Sequence, residues 1–317
     1  MVSKFHDHPR KQIIRGEWDT PLLRSLHVAW GKKFFYFGLP GPQVFDICAW
    51  RDMIDRVVAF ELESDDPDDP RVNLVELGRQ LALLGLRNDI YCGPLEEVVL
   101  RGSDHDGKVF NLDELVTLYN LDFCGPITEQ ITTTNGRQCL RFEALREIAA
   151  IQRRLYRLTN AERFILLITA RQEFHRRTLL DALADPDLPK ATRIFTGRAG
   201  GARPIGRGLA TNLELLKAFV FSCVRQSMHG QNIGSVFLPP VAYTGSSAKS
   251  PMIHFAVVCK MGAQNEAPAA EPQTAEDFFR LNILHASDTS IGPLAGSLGD
   301  RRETNSAQFV AAYQSIA

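Results

Sequence analysis

Apolar residues occur in two patterns along the chain, as short continuous runs and as helical repeats. The runs predict buried strands of a parallel sheet; they lie at 33–39, 56–63, 88–93, 115–125 and 163–170. Segments with apolar residues three or four positions apart predict amphipathic helices; they lie at 18–30, 43–54, 74–84, 141–157 and 171–185. Because strands and helices alternate, the pattern predicts right-handed crossovers and helices on both faces of the sheet.

The first predicted helix has a start signal. Asp19 or Thr20 is expected to cap it, because short polar side chains accept hydrogen bonds from the first free backbone N–H groups, and Pro21 suits a first helical turn. Residues 1–17, which precede this helix, are expected to form an N-terminal tail.

The end of the pattern departs from the alternation. After a predicted helix at 212–228, two apolar runs at 234–243 and 252–261 are separated only by the turn-rich segment TGSSAKSP, so the two strands must pair antiparallel. The pattern therefore predicts a doubly wound α/β domain over 18–262, with a mostly parallel seven-stranded sheet closed by this hairpin. Residues 263–317 are expected to form a linker, a short helix and a flexible tail.

Five alternating units closed by an antiparallel hairpin resemble the class I methyltransferase fold, which binds S-adenosylmethionine. The resemblance covers roughly residues 18–262 and lies in the order of the elements. A dinucleotide dehydrogenase more often continues with a parallel sixth strand. The tryptophan helix before the first strand, Glu61 and the end of the fourth strand also resemble the methyltransferase-like partners of the three-cysteine-motif group in bacterial defence loci.

The loop after the first strand, in FFYFGLPGP at 34–42, is where the resemblance places the amino-acid end of the cofactor. Gly38 and Gly41 leave room for a ligand against the backbone, and Pro40 stiffens the turn. The acidic residue that usually begins this motif is absent. An ordinary tight turn without a ligand is the alternative interpretation.

The ends of the second and third strands complete the expected cofactor site. Glu61 lies 20 positions after Gly41, the spacing at which Rossmann-type folds place the acid that binds the ribose hydroxyls. Glu63 is the fallback, and both residues could instead belong to the solvated acidic run that follows. The resemblance places Cys92, at the end of the third strand, near the adenine.

The fourth strand ends in YNLDFCGP, where the resemblance implies the acceptor site. Enzymes of this fold that methylate base amino groups carry Asp or Asn, two prolines and an aromatic residue there; Asn120 and Phe123 match the outer positions, and Asp122 replaces a proline. A carboxylate or carboxamide accepts hydrogen bonds from the target amino group, and the ring stacks on the base. We expect only one of Asn120 and Asp122 to point into the site and favour Asp122, whose charge needs polar surroundings; capping of local backbone is the alternative.

A basic segment without acids lies at 188–212, between the fifth strand and the last predicted helix. Its glycines make it flexible, and it is expected to reach the carboxyl edge of the sheet. Flexible arginines bind phosphates by charge and bidentate geometry, which favours a nucleic acid as the acceptor; a solvated loop is the alternative. The basic residues are Lys190, Arg193, Arg198, Arg203 and Arg207.

Composition narrows the class of protein. The formal net charge is −1, so bulk charge does not attract polyanions and any nucleic-acid surface must be local. Six cysteines without a CxxC pair, no apolar stretch of membrane length and no secretory signal predict a cytoplasmic protein without disulfides or a metal site. His254 is expected to be a half-buried residue of the sheet.

The function predicted from these features is methyl transfer from S-adenosylmethionine to an amino group of a nucleic acid. The first alternative is a catalytically degenerate descendant of the fold that serves, with a protein partner, as a subunit or ligand sensor in an assembly such as a bacterial defence system. The second alternative is a nucleotide-dependent oxidoreductase, which the terminal hairpin disfavours.

Overall fold

The computed structural model describes residues 9–127, 129, 131–133, 136–138, 140–156, 163–172, 216, 220–221, 223–225, 227–228, 230–238, 240–244, 251–262 and 292–293. The strands within these residues are β1 (Phe34–Gly38), β2 (Ile54–Glu61), β3 (Arg87–Cys92), β4 (Leu118–Pro126), β5 (Ile131–Thr133), β6 (Gly136–Gln138), β7 (Arg163–Arg171), β8 (Ile233–Phe237), β9 (Val241–Thr244), β10 (Pro251–Met261) and β11 (Gly292–Pro293). The helices are α1 (Pro9–Ile13), α2 (Thr20–Trp30), α3 (Phe45–Ala49), α4 (Val72–Leu83), α5 (Leu95–Arg101) and α6 (Leu140–Tyr156).

One mixed sheet organises the domain, in the order β11-β9-β10-β7-β4-β1-β2-β3, with β8 also paired to β10. Strands β3, β2, β1, β4 and β7 are parallel, whereas β10 is antiparallel to β7, β8 and β9. Helices α2, α3 and α4 contribute to the hydrophobic cluster on one face. Helices α5 and α6 contribute to the cluster on the other face, together with Leu216, Val220, Phe221, Cys223, Val224 and Met228. The predicted doubly wound sheet with its antiparallel end is therefore confirmed.

The outer part of this sheet differs from the seven strands that the sequence predicts. The run at 234–243 forms two strands, β8 and β9, which both pair antiparallel with β10. Pro240 lies between them, and proline cannot donate to a strand ladder. Strand β11 adds a short parallel pair to β9, which gives a sheet of nine strands within the described residues. Strands β5 and β6 form a separate hairpin that the hydrophobic pattern does not reveal.

The N-terminal region is helical from Pro9 onward, so the predicted tail is wrong for its described part; residues 1–8 lie outside the described residues. Helix α1 continues into a π-helical turn over Ile14–Asp19 and then into α2. None of the helices in the described stretches is long and apolar enough to cross a membrane.

The predicted cap of the first helix is also corrected. Asp19 and Thr20 lie inside the continuous helix, and Asp19 makes no capping hydrogen bond. The backbone N–H of Thr20 donates to the carbonyl of Arg15, five residues earlier, as in a π-helix. Pro21 lies where the helix returns to α geometry, so its missing N–H removes no regular bond at the start of α2.

Candidate active site at the carboxyl ends of the strands

The strand order reverses between β1 and β4. From β1 the chain moves through β2 to β3 and then returns to the other side of β1 as β4. In open α/β sheets a ligand crevice lies outside the carboxyl ends of the strands at such a switch point. Gly38 and Asn120 pair across this boundary and mark its position.

Gly38 is required by the sheet itself. A Cβ atom at Gly38 would lie 2.1 Å from the backbone carbonyl oxygen of Asn120, far inside van der Waals contact. The N–H of Leu39 donates to the same oxygen at 3.1 Å. The space that the sequence pattern assigns to a ligand is therefore taken by β4 at this position.

The rest of the β1 loop has an unusual backbone. Pro40 is buried, and Gly41 has a left-handed φ of +66°, with no described atom within 4 Å of a Cβ built on it. Val44, a buried β-branched residue, has a φ of +49°. Such a conformation costs about 1–3 kcal/mol and clusters at ligand-binding sites. Gly41, unlike Gly38, faces open space that a ligand can use.

Glu61 ends β2, the strand next to β1. Its Oε1 accepts a hydrogen bond from the N–H of Leu62 at 3.0 Å, and burial raises the pKa of the carboxyl group to about 7. Strand alternation puts its side chain on the same face as Ala59, the residue paired with Gly38. Glu63 is exposed, with its carboxylate 3.7 Å from the guanidinium of Arg71. Of the two predicted acids, only Glu61 is partly withdrawn from solvent.

Cys92 pairs with Glu61 at the end of β3, and its side chain is buried. Burial raises the pKa of the thiol. The backbone N–H of Cys92 donates to Asp104 Oδ2 at 3.1 Å, and Asp104 Oδ1 accepts from the N–H groups of Asp106 and Lys108. Asp104 thus supplies an acid at this strand end, from a loop that the spacing of motifs does not single out.

Asn120 and Asp122 both line one cavity, so the expectation that only one of them points into the site is wrong. The reason is the two-residue period of a strand: residues 120 and 122 share a face. Phe123 lies on the opposite face, buried in the hydrophobic core, with the guanidinium of Arg141 4.9 Å from its ring centroid. The structure brings Asn120 and Asp122 together and leaves Phe123 apart from them.

Only one of the two carboxylate oxygens of Asp122 has a hydrogen-bond partner among the described residues. Its Oδ2 accepts a hydrogen bond from the ammonium of Lys11, whereas its Oδ1 is buried and has no hydrogen-bond partner in the part of the chain that the structure describes. Buried oxygens of this kind are uncommon, because an unpaired buried acceptor loses its hydration without compensation. The unpaired oxygen is available to a donor group that enters the cavity.

Asn120 is held by two partners. Its Nδ2 donates to Tyr36 Oη at 3.1 Å and to Asp46 Oδ2 at 2.7 Å. Asp46, in the first turn of α3, also accepts from the guanidinium of Arg15. Burial raises the pKa of Asp46, and the charge of Arg15 opposes that rise. These contacts fix the amide so that its donors are used and its oxygen is the group left for a ligand.

A second chain of hydrogen bonds joins three elements beside Asp122. Thr169 pairs with Asp122 in the sheet, and His254 pairs with Thr169. Nδ1 of His254 lies 2.8 Å from Thr169 Oγ1, and Nε2 lies 2.9 Å from Asp19 Oδ1. Because a carboxylate only accepts, Nε2 carries the proton. His254 is 1% exposed rather than half-buried, and both ring nitrogens are engaged.

These groups line a small, partly open cavity of about 20 Å³. It lies over the carboxyl ends of β4 and β7 and the amino end of the antiparallel β10, under the N-terminal helix. The lining residues are Lys11, Ile14, Arg15, Asp19, Asp46, Trp50, Asn120, Asp122, Thr169, Tyr243 and His254.

Most of this lining was not predicted. Asp46 gives the clearest signal in the sequence, as an acid in the first turn after a glycine loop. The contacts of Lys11, Arg15 and Asp19 join residues more than 30 positions apart and leave no local pattern. The five predicted basic residues, Lys190, Arg193, Arg198, Arg203 and Arg207, lie outside the described residues.

The topology decides the fold. Five parallel strands in the order β3-β2-β1-β4-β7 continue into an antiparallel strand, β10, which lies between β7 and the strands that precede it in the chain. The chain has the class I methyltransferase fold. This arrangement is the one that the resemblance in the sequence implied.

No protein-family model and no curated protein matches the chain. Among solved structures it is similar to an S-adenosylmethionine-dependent methyltransferase from Clostridium acetobutylicum, with 9% identity over 80% of this chain and 94% of that chain at a TM-score of 0.37. It is also similar to magnesium protoporphyrin IX methyltransferase from Synechocystis (10% identity, 78% and 86% covered, TM-score 0.36) and to an rRNA methylase from Streptococcus thermophilus (9%, 73% and 87%, 0.31). Function is therefore inferred from the residues of the site.

Proposed function

We propose that the chain binds S-adenosylmethionine at the carboxyl ends of β1, β2 and β3 and directs its methyl group to an acceptor at the end of β4. The observation that carries the proposal is the switch point of the sheet. There the strained glycine loop after β1, the half-buried carboxyl group of Glu61 and the unpaired carboxylate oxygen of Asp122 lie at the same edge of the sheet.

The residues at the ends of β1, β2 and β3 form the donor side of the proposed site, where the methyl donor would bind, and they fit this cofactor. Gly41 gives access to the backbone, and the carboxylate of Glu61 has one oxygen on the N–H of Leu62 and a second for the ribose hydroxyls. Cys92, buried beside Glu61, closes the side where the adenine would lie. When bound, the cofactor supplies an electrophilic methyl group on a sulfonium, so the protein need only position the acceptor for in-line attack.

The acceptor side suits a group that donates hydrogen bonds. The unpaired oxygen of Asp122 and the side-chain oxygen of Asn120 line one cavity, and both accept. An amino group, which carries two donors, matches this pair. An amino group of a nucleic acid is the acceptor we favour, because the basic residues at 188–212 are suited to phosphates. Such an enzyme would act in the cytoplasm.

One observation favours a second function, that of a ligand-binding subunit without catalysis. Phe123 lies in the core on the opposite face from Asn120 and Asp122, so it does not offer its ring to a base beside them. A catalytically degenerate protein that senses S-adenosylmethionine within an assembly would need only the residues that bind S-adenosylmethionine.

Calorimetric titration with S-adenosylmethionine tests the donor site, with Glu61→Ala and the matched variant Glu63→Ala. We expect micromolar binding by the wild type and by Glu63→Ala, and a loss of at least about tenfold in affinity for Glu61→Ala, because an ionised acceptor to the ribose is worth about 1.5–3 kcal/mol. Absence of binding by the folded wild type, or equal loss in both variants, would reject this site.

Transfer of labelled methyl groups to DNA and RNA separates the two functions. An enzyme loses transfer in Asp122→Asn but keeps its affinity for S-adenosylmethionine. A sensor binds S-adenosylmethionine and transfers nothing to either nucleic acid in the wild type. Transfer that survives Asp122→Asn unchanged would remove Asp122 from the acceptor site.

A further inference from the structure

The N-terminal helical segment, Pro9–Asp19, lies over the acceptor side of the site and contacts it with three side chains. The ammonium of Lys11 pairs with Asp122, and the guanidinium of Arg15 pairs with Asp46. Asp19 accepts the Nε2–H of His254 at 2.9 Å. These side chains are four residues apart, about one helical turn, so one face of the segment meets three different elements.

The docked segment occupies part of the acceptor side. Four of the eleven residues that line the cavity belong to the segment, and the cavity volume is about 20 Å³. A volume of roughly 10–15 Å³ holds one water molecule, so the space left beside the docked segment is little more than that of one water. The ammonium of Lys11 already occupies Oδ2 of Asp122, so an acceptor that binds both oxygens of this carboxylate must displace it.

Among the described residues, the apolar contacts of the segment are separate from the main core. Ile14 and Trp18 pack with Val241, Tyr243 and Met252 in a cluster of their own, whereas the sheet and the other helices are joined by two large clusters. Helix α1 has no buried residue. The described contacts that hold the segment over the site are therefore this small cluster and its polar bonds to Asp122, Asp46 and His254.

The π-helical turn gives the segment a place to bend. The turn covers Ile14–Asp19 and includes Gly16, and the regular hydrogen-bond ladder is interrupted there before α2 begins. Interruptions of this kind are where helices kink, and π-turns recur at functional sites. Helix α2 beyond it is anchored in the main core by Leu22, Leu23 and Leu26.

We propose that the segment Pro9–Asp19 is an intrasteric lid, whose Lys11 and Arg15 hold the acceptor subsite in place of a substrate. The lid opens about the π-turn when an acceptor, or a partner that binds the segment, replaces these cations at Asp122 and Asp46. The role of the lid in admitting an acceptor rests on the proposed function. Its docking and opening do not depend on that function.

Hydrogen exchange of the whole protein, without any cofactor, tests the lid. The variants are Lys11→Met and Arg15→Met, separately and together, with Arg24→Met on the exposed side of α2 as the matched control. We expect amides of residues 9–19 to exchange at least about tenfold faster in the double variant, while β1 and β7 keep wild-type protection. Sodium chloride at 1 M should produce a smaller change at the same amides in the wild type, because the screening length falls to about 3 Å but partly buried pairs are screened less than exposed ones.

Unchanged exchange at 9–19 in both the double variant and high salt would overturn the lid, as would fully unprotected exchange there in the wild type. If the double variant loses protection throughout the sheet, the substitutions have destabilised the whole protein. The salt experiment on the wild type then tests the lid. Faster methyl transfer by the double variant would link the lid to the proposed activity. A lid that opens in a protein unable to bind S-adenosylmethionine would leave the lid standing and reject the proposed function.

Discussion

At the scale of single residues, two glycines have opposite steric surroundings. A Cβ at Gly38 would lie 2.1 Å from the carbonyl oxygen of Asn120, whereas a Cβ at Gly16 would meet no described atom within 4 Å. We expect Gly38→Ala to lower the free energy of unfolding by about 3 kcal/mol or more, because β4 must be displaced. Gly16→Ala should raise it by about 0.5–1 kcal/mol, since alanine favours the helix. Urea denaturation measures both, and equal effects would contradict the geometry of the β1–β4 boundary.

The carboxyl group of Glu61 should make stability depend on pH. Burial raises its pKa to about 7 from 4.5, so between these values the folded protein holds a proton that the unfolded chain has lost. Stability from this group is therefore complete below pH 4.5 and is lost as the pH rises through 7. Glu61→Gln removes that loss, and at pH 8 it should be more stable than the wild type by about 1–3 kcal/mol.

Urea denaturation at pH 4.5 and pH 8 checks this sign. The two proteins should be equally stable at the lower pH. Glu63→Gln, two residues along the chain and exposed, is the control and should match the wild type at both values. A wild type that is more stable than Glu61→Gln at pH 8 would mean that the carboxylate is paired in solution.

At the scale of elements, a buried hydrogen bond joins the N-terminal helix to the sheet. Asp19 and His254 are 3% and 1% exposed, and they belong to the π-turn and to β10. Because His254→Leu leaves a buried carboxylate without its donor, it should lower the free energy of unfolding by about 3–5 kcal/mol. The double variant Asp19→Leu/His254→Leu should lose about 2 kcal/mol less than the sum of the single variants, since no unpaired charge remains.

A double-mutant cycle in urea measures this coupling. The exposed pair Glu76 and Arg79 on α4, with Nη2 and Oε1 2.7 Å apart, provides a control cycle for an ion pair in solvent. No measurable coupling is expected there, because water screens the charges. Additive effects at Asp19 and His254 would show that the two side chains do not bond in solution.

The strands of the parallel sheet were predictable because buried parallel strands read as continuous apolar runs, as in FILLITA of β7. The division of 234–243 into β8 and β9 was not, since the run of apolar residues continues across the break. The helix before α2 was missed because Asp19 and Pro21 imitate a helix start. In the site, Glu61 follows from chain spacing, whereas the bonds of His254 to Asp19 and Thr169 depend on register between distant strands.

At the scale of the whole molecule, charge limits how the chain can bind a nucleic acid. The net charge is −1, so the protein as a whole is not drawn to phosphate. Binding to a polyanion must come from a local excess of positive charge. The segment at 188–212 provides one, with five basic residues and no acid over 25 positions.

The contribution of these five residues to nucleic-acid binding can be measured from the salt dependence of the affinity. Each phosphate neutralised by a basic side chain adds about 0.7 for single strands, or about 0.9 for duplex DNA, to the slope of log affinity against log salt. We therefore expect replacement of Lys190, Arg193, Arg198, Arg203 and Arg207 by Gln to lower this slope by up to about 3.5 units for single strands or about 4.5 for duplex DNA, and to abolish detectable binding near physiological salt. Fluorescence anisotropy with labelled single-stranded and duplex oligonucleotides measures the slope.

Net charge itself must be held constant in the comparison. A second variant that replaces five exposed basic residues elsewhere by Gln changes the total charge by the same amount; suitable positions are Arg24, Lys33, Arg79, Arg101 and Arg154. If the segment is the phosphate-binding surface, this variant keeps the wild-type slope to within about one unit. Equal losses in both variants would mean that only overall charge matters, and no binding by the wild type would direct the search for the acceptor away from nucleic acids and toward proteins.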